Sequence, residues 1–140
     1  MINEKVAKLL NTQINKEFYS AYLYLSFANY FDDRGLDGFA NWYNIQAQEE
    51  RDHAMLFLQY MQNNDLSVTF EAIDKPSVAL ESDMGVLKAG LEHERYVTSL
   101  INTIYTAAAE DNDYRTVQFL DWFVKEQGEE ETNATDLIKK

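Results

Sequence analysis

The sequence has 140 residues, a length typical of one compact unit, and we expect residues 1–140 to form a single domain. It contains 46% hydrophobic residues, one proline and no cysteine, which favours a packed helical interior and excludes disulfides, thiolate metal sites and iron–sulfur clusters. The formal net charge of −12 disfavours binding to nucleic acid or anionic lipid and favours binding of cations.

Four long helical segments are predicted in chain order, which places the chain in the all-α class. The first runs from about Asn3 to Asp32, and the stretch DDRGLDG ends it. In that stretch we expect Gly35 to be the C-cap of the first helix and Asp37 the N-cap of the second.

The second helix extends to about Asn64, and the third begins near Ser82 or Asp83. The stretch EDND then supplies a turn and a new cap before the fourth. Strand-like alternation occurs only in the short stretch SVTFEAI. The start MINEKVAKLL is too polar for a signal peptide, and no apolar run reaches the ~20 residues of a membrane span. We therefore expect a cytoplasmic protein that does not enter a membrane.

The connections between the helices predict how they are arranged. Two are short and indicate antiparallel neighbours. The third, residues 65–81, contains Pro76 and can extend over roughly 55 Å, which exceeds the roughly 42 Å of a 28-residue helix. The sequence therefore predicts an antiparallel four-helix bundle in which one long crossover joins the second and third helices.

Each helix has an apolar stripe with i, i+3, i+4 and i+7 spacing, and each stripe contains polar residues near its middle. Their distances from the connecting turns agree, so we expect these side chains to meet at one level of the core. The polar members are Glu17, Glu50 with His53, Glu94, and Gln127 with Glu130.

These buried polar residues predict a metal site. Spacing of i and i+3 places Glu50 and His53 on one helix face, and does the same for Gln127 and Glu130. Carboxylates that converge in an apolar interior repel one another, and a pair of divalent cations removes that conflict. Carboxylates with one imidazole suit iron, manganese or zinc. A single buried acid or histidine is more often structural, but the coincidence in four helices favours metal.

At these residues the chain resembles the bacterial non-haem ferritins, over essentially its whole length. The matching motifs are Glu17 in NKEFYSAYLYL, Glu50 and His53 in AQEERDHA, Glu94 in LEHERYVT, and Gln127 and Glu130 in FVKEQGEEET. The second Glu-x-x-His of haem-binding bacterioferritins and rubrerythrins is replaced here by Gln127-x-x-Glu130. The methionine that ligates haem and the cysteines of rubrerythrins are also missing, so the resemblance implies a ferritin without haem.

The resemblance also implies roles for individual residues. The first iron would be held by Glu17, Glu50 and His53. The second would be held by Glu50 as a bridge, Glu94 and Glu130, with Gln127 beside it. A third iron position would map onto Glu49, Glu126, Glu129 and Glu130, and Tyr24 would lie beside the centre as an electron or hydrogen-bond donor.

The function implied is oxidation of two Fe(II) by dioxygen, followed by transfer of the ferric product to a mineral core. Related ferritins form hollow shells of 24 subunits and continue into a short fifth helix, whereas this sequence stops at DLIKK. Because the predicted metal ligands lie before that point, we expect the dimetal site to be retained.

Two other functions are compatible with the same residues. One is a di-iron enzyme that activates oxygen to act on an organic substrate, although the chain leaves little space for a substrate pocket. The other is a non-catalytic helical bundle whose acids bind zinc or calcium. Rapid mixing of Fe(II) protein with oxygen distinguishes them, because only a ferroxidase both reacts and retains ferric iron.

Overall fold

The structure is a computed structural model and describes residues 1–139, which form long helices joined by irregular connections. The helices are α1 (Glu4–Asp33), α2 (Asp37–Asn63), α3 (Asp83–Glu110) and α4 (Tyr114–Lys139). No β-strand is present in residues 1–139. The predicted all-α class is confirmed, and the predicted helix boundaries agree with these to within about one residue. Within residues 1–139, no helix combines the length and apolarity that a membrane span requires.

The first three helices end in the same way, with a residue in the left-handed conformation. These residues are Gly35 with φ of 73°, Asp65 with φ of 57° and Asn112 with φ of 56°. In each case the next residue donates its backbone N–H to the carbonyl five positions earlier, at 2.8 to 3.0 Å. This is the Schellman arrangement, which satisfies carbonyls that the end of a helix leaves open. The predicted role of Gly35 is confirmed.

The prediction that Asp37 caps α2 is wrong. The N-cap is Leu36, which makes no side-chain capping hydrogen bond, and Asp37 is already the first helical residue. The backbone N–H of Leu36 completes the end of α1, while its carbonyl accepts the first hydrogen bond of α2 from Ala40 at 3.0 Å. The turn is thus too tight for a separate capping residue, and Asp37 can stabilise α2 only by its charge in the first turn.

The other three helix starts have side-chain caps. Asn3 Oδ1 accepts from Val6 N at 2.8 Å in α1. Ser82 Oγ accepts from Gly85 N at 3.0 Å in α3. Asp113 Oδ1 accepts from the backbone of the third residue of α4 at 3.1 Å, which confirms the cap predicted within EDND.

One compact unit, residues 11–86, contains most of α1, all of α2 and the crossover. A short turn reverses the chain, so that α2 packs antiparallel to α1. Next to the turn the packing is aromatic, with the Phe31 and Tyr43 rings stacked at 5.9 Å between centroids. Tyr24 and Phe27 also contact Tyr43, at 5.5 and 5.3 Å. This core holds α1 and α2 in the register that positions the polar residues further along.

Side chains of α1 hold the crossover in place. Asn11 Nδ2 donates to the carbonyl of Thr69 at 3.0 Å, and Asn11 Oδ1 accepts from the backbone N–H of Thr69 at 2.9 Å. Asn15 Nδ2 donates to the carbonyl of Ala72 at 3.0 Å. The strand-like stretch SVTFEAI thus has asparagine side chains as partners rather than a second strand. At the far end, Arg34 Nε lies 2.7 Å from Asp83 Oδ1, so α3 begins beside the end of α1.

The other compact unit contains most of α3 and all of α4 together with residues 1–10. The connection of three residues between α3 and α4 reverses the chain. Thr98 and Gln127, which lie at similar distances from this connection, are joined by a hydrogen bond of 3.3 Å. The two helices are therefore antiparallel, as predicted.

Candidate metal centre

A cluster of two carboxylates and one imidazole lies between α1 and α2. Glu17 belongs to α1. Glu50 and His53 are neighbours on one face of α2, as their i and i+3 spacing requires. The exposed fractions are 1% for Glu17, 0% for Glu50 and 4% for His53. One ligand atom from each residue lies within 4.8 Å of the other two. The structure therefore brings together the three residues that the resemblance assigned to the first metal position.

His53 is the centre of this cluster. Its Nδ1 atom lies 3.2 Å from Glu17 Oε2 and 3.4 Å from Glu50 Oε2. Burial alone lowers the pKa of His53, but hydrogen bonding and Coulombic attraction to the two carboxylates outweigh burial and raise the pKa from 6.5 to about 11. The two carboxylates thus favour a positive charge at this position, which the imidazolium form of His53 supplies.

A divalent cation can supply that charge equally well. It would bind to carboxylate oxygens of Glu17 and Glu50, with the imidazole of His53 as a neutral third ligand. Two carboxylates and one imidazole form a ligand set suited to iron, zinc and manganese. The residues therefore fit a metal ion in both charge and ligand chemistry.

Gln13 is a buried residue of this site that sequence analysis missed. It is 2% exposed. Its Nε2 atom donates a hydrogen bond of 2.8 Å to Glu17 Oε1, one helical turn further along α1. The signal was present in the sequence, since a glutamine four residues before a glutamate lies on the same helix face. It went unnoticed because glutamine is neutral and does not resemble a metal ligand.

The second group of predicted residues belongs to α3 and α4. Glu94, Gln127 and Glu130 are all buried. Gln127 Nε2 donates to the backbone carbonyl of Glu94 at 3.2 Å and to Thr98 Oγ1 at 3.3 Å. The structure thus gives Gln127 a definite role in joining α4 to α3.

Thr98 was not predicted and extends this hydrogen-bonded chain. Its Oγ1 atom lies 2.6 Å from Glu131 Oε2. A carboxylate oxygen only accepts, so the threonine hydroxyl donates here and can accept from Gln127. This hydrogen bond joins Glu131 of α4 to α3. Threonine carries no metal-site signal in a sequence, because it is common on helix surfaces.

The remaining predicted residues differ in their surroundings. Tyr24 is 1% exposed and packs in the aromatic core beside Tyr43. Glu49 and Glu126 are half-buried, and Glu129 is exposed. The assignment of these acids to a third metal position, and of Tyr24 to a redox role, stays a prediction.

Fold and site together define an all-α protein with a buried carboxylate–histidine centre that can hold a metal ion. Residues 7–140 match the family model of the ferritin-like domain. The chain therefore belongs to the ferritin-like family.

Similar proteins with curated names agree with this assignment. The chain is 37% identical to the bacterial non-heme ferritin of Campylobacter jejuni over 140 residues, which cover 100% of this chain and 84% of that protein. It is 38% identical to the bacterial non-heme ferritin of Staphylococcus saprophyticus over 131 residues, which cover 94% of this chain and 78% of that protein. The resemblance stated from the sequence motifs is thus confirmed.

Solved structures also match the chain. An open pore ferritin from Archaeoglobus fulgidus has a TM-score of 0.97 at 42% identity, covering 100% of this chain and 86% of that one. The Chlorobium tepidum ferritin has a TM-score of 0.96 at 31% identity, covering 99% of this chain and 85% of that one. The predicted fold class, a four-helix bundle of the ferritin-like type, is confirmed.

Proposed function

We propose that this chain is a cytoplasmic iron-storage ferritin with ferroxidase activity, which oxidises Fe(II) with dioxygen and deposits Fe(III) as mineral. The observation that carries the proposal is the buried cluster of Glu17, Glu50 and His53. Its charge and ligand types suit Fe(II), and the chain belongs to a family whose similar members are named bacterial non-heme ferritins.

The first iron position is formed by this cluster. The charges of Glu17 and Glu50 balance those of one Fe(II), and His53 becomes a neutral ligand when it loses the proton that it carries in the empty site. Iron is the substrate here, so the site must bind it and later release it. Few ligands and a proton that can return to His53 both favour such release.

The second iron position is assigned to Glu50 as the bridging carboxylate, Glu94 and Glu130. The burial of Glu94 and Glu130 supports this assignment, because ionised carboxylates in an apolar interior need a cation. Gln127 lies one turn before Glu130 and is anchored on α3, so it provides a fixed amide beside the site. Two metals held close together, with open positions for dioxygen, are the arrangement that the oxidation requires.

Further roles follow from the family. Tyr24, buried two helical turns beyond Glu17, would donate an electron or a hydrogen bond. A third position, formed by Glu49, Glu126, Glu129 and Glu130, would receive iron near the oxidation site. We propose that 24 copies assemble into a shell that encloses the mineral. Native mass spectrometry of the purified chain measures this directly, and a spectrum with only monomer and dimer would contradict the shell.

Stopped-flow absorbance tests the oxidation. We expect a fast absorbance transient when protein loaded with two Fe(II) per chain is mixed with dioxygen. Ferric iron should then stay with the protein. Glu50→Ala should abolish the fast phase, because it removes the bridging ligand. Glu92→Ala, an exposed acid on α3, is the matched control and should leave the phase unchanged.

Each contrary result points to a different function. A wild-type protein that binds metal without a fast phase would be a non-catalytic metal-binding bundle. Oxidation of an added organic molecule, without retention of ferric iron, would indicate a di-iron oxidoreductase.

A further inference from the structure

A buried amide, that of Gln13, contacts Glu17, a residue assigned to the first iron position. The two oxygens of the Glu17 carboxylate have different partners. Oε1 accepts a hydrogen bond of 2.8 Å from Gln13 Nε2, whereas Oε2 lies 3.2 Å from His53 Nδ1. The carboxylate is thus oriented by one group on each side.

We propose that Gln13 is a positioning residue for the first metal position. Its hydrogen bond occupies Glu17 Oε1, so that Oε2 is the single oxygen that binds the cation. The inference rests on the proposed function, because it concerns the same site. It adds a residue that is not itself a ligand and states how Glu17 binds.

Burial makes the hydrogen bond between Gln13 and Glu17 effective. The two side chains are 2% and 1% exposed, so water does not compete for the carboxylate. An ionised carboxylate only accepts hydrogen bonds, so the amide must present its nitrogen rather than its oxygen. The orientation of Gln13 is therefore determined by its partner.

The helix makes the geometry rigid. Gln13 and Glu17 are one turn apart on α1, where side chains at i and i+4 meet. Both belong to the same continuous helix, so the donor and the ligand move together. A carboxylate held in this way has lost its rotational freedom before the metal arrives, and less entropy is lost on binding.

Metal affinity tests the proposal. Cobalt(II) binding to the apo protein is followed by calorimetry and by the visible absorption of the bound ion, which reports coordination geometry. Gln13→Met keeps the size of the side chain but removes the donor. We expect Gln13→Met to weaken the binding of one of the two cobalt ions by about 10- to 100-fold, the usual effect of losing a group that orients a ligand. The cobalt spectrum should change as well.

Two further variants make the result specific. Gln13→Asn keeps the amide but shortens its reach, so this variant should lose cobalt affinity in the same way. It takes the place of Gln13→Met if the Gln13→Met protein does not fold. Gln48→Met is the matched control. Gln48 Nε2 also donates to a carboxylate four residues later, Asp52 Oδ1 at 3.0 Å, but on an exposed face of α2. Its cobalt binding should equal that of the wild type.

The outcomes separate this inference from the proposed function. If the wild type binds cobalt and both Gln13 variants bind it with the same affinity and spectrum, Gln13 is structural only and the inference is wrong. If the wild type itself binds no divalent metal, the proposed function fails first. A zinc-loaded crystal structure adds a direct measurement, since Glu17 bound through both oxygens would overturn the proposal.

Discussion

Nδ1 of His53 lies 3.2 Å from Oε2 of Glu17, across the antiparallel pair of α1 and α2. The two residues are equally far from the turn that joins the helices, so the contact is a direct product of helix length and turn length. It places an ionisable group of each helix at one buried point. The expected pH dependence of stability and the proposed metal binding both depend on this contact.

The apo protein should become less stable as the pH rises. The folded-state pKa of His53 is raised to about 11 from 6.5, so between these values the folded protein holds a proton that the unfolded chain has lost. This contribution is fully present below about pH 6.5 and is lost as the pH rises through about 11. We expect the free energy of unfolding to decrease by roughly 1 kcal/mol per pH unit between pH 7 and 9. Urea denaturation of metal-free protein measures it. His53→Gln should show a flatter profile, and a wild-type stability that rises over this range would contradict the assignment.

Metal binding should release a proton. At pH 8 the imidazole of His53 is protonated in the metal-free protein, because its pKa is about 11, and it must be neutral to act as a ligand. Zinc titrations in two buffers with different heats of ionisation measure the number of protons released. We expect His53→Gln to release about one proton fewer per chain than the wild type. Equal release by the two proteins would show that His53 is not a ligand.

Replacing Gly128 with alanine should stabilise α4. Gly128 lies within the helix, and an added Cβ would meet no atom within 4 Å. Alanine loses less conformational freedom on folding, so we expect a gain of about 0.5–1 kcal/mol. Chemical denaturation measures it. Gly85→Ala is the contrasting variant, because its Cβ would lie 2.7 Å from the capping atom Ser82 Oγ. An equal gain in both variants would show that local packing does not decide the effect.

Loss of the Asn11 side chain should loosen the crossover. Asn11 makes two hydrogen bonds to the backbone of Thr69, at 2.9 and 3.0 Å, on the protein surface. We expect Asn11→Ala to lower the free energy of unfolding by about 1 kcal/mol and to speed hydrogen exchange at the Thr69 amide. Asn41→Ala, an exposed asparagine on α2, is the control and should leave that amide protected. Unchanged exchange at Thr69 in Asn11→Ala would mean that other contacts hold the crossover.

The sequence by itself determined the helices and the meeting of Glu17, Glu50 and His53 at one level of their buried faces. Apolar spacing of 3.6 residues defines the buried face of a helix, and Glu50 and His53 fall on that face because of their positions in the chain. The turn at Gly35 then decides which residues of α1 and α2 face each other, which is why Glu17 could be assigned to the same site. These inferences need only the regular geometry of a helix and the length of one turn.

Only the tertiary structure decided how the site is supported. The choice of Leu36 rather than Asp37 as the N-cap of α2 depends on how the end of α1 uses the backbone of the turn. The bond from Gln13 to Glu17 depends on side-chain rotamers and on the exclusion of water. Helical spacing limits which residues can meet, but several rotamers satisfy it. Packing by the rest of the chain selects one of these rotamers, and the spacing of residues in the sequence does not predict which one.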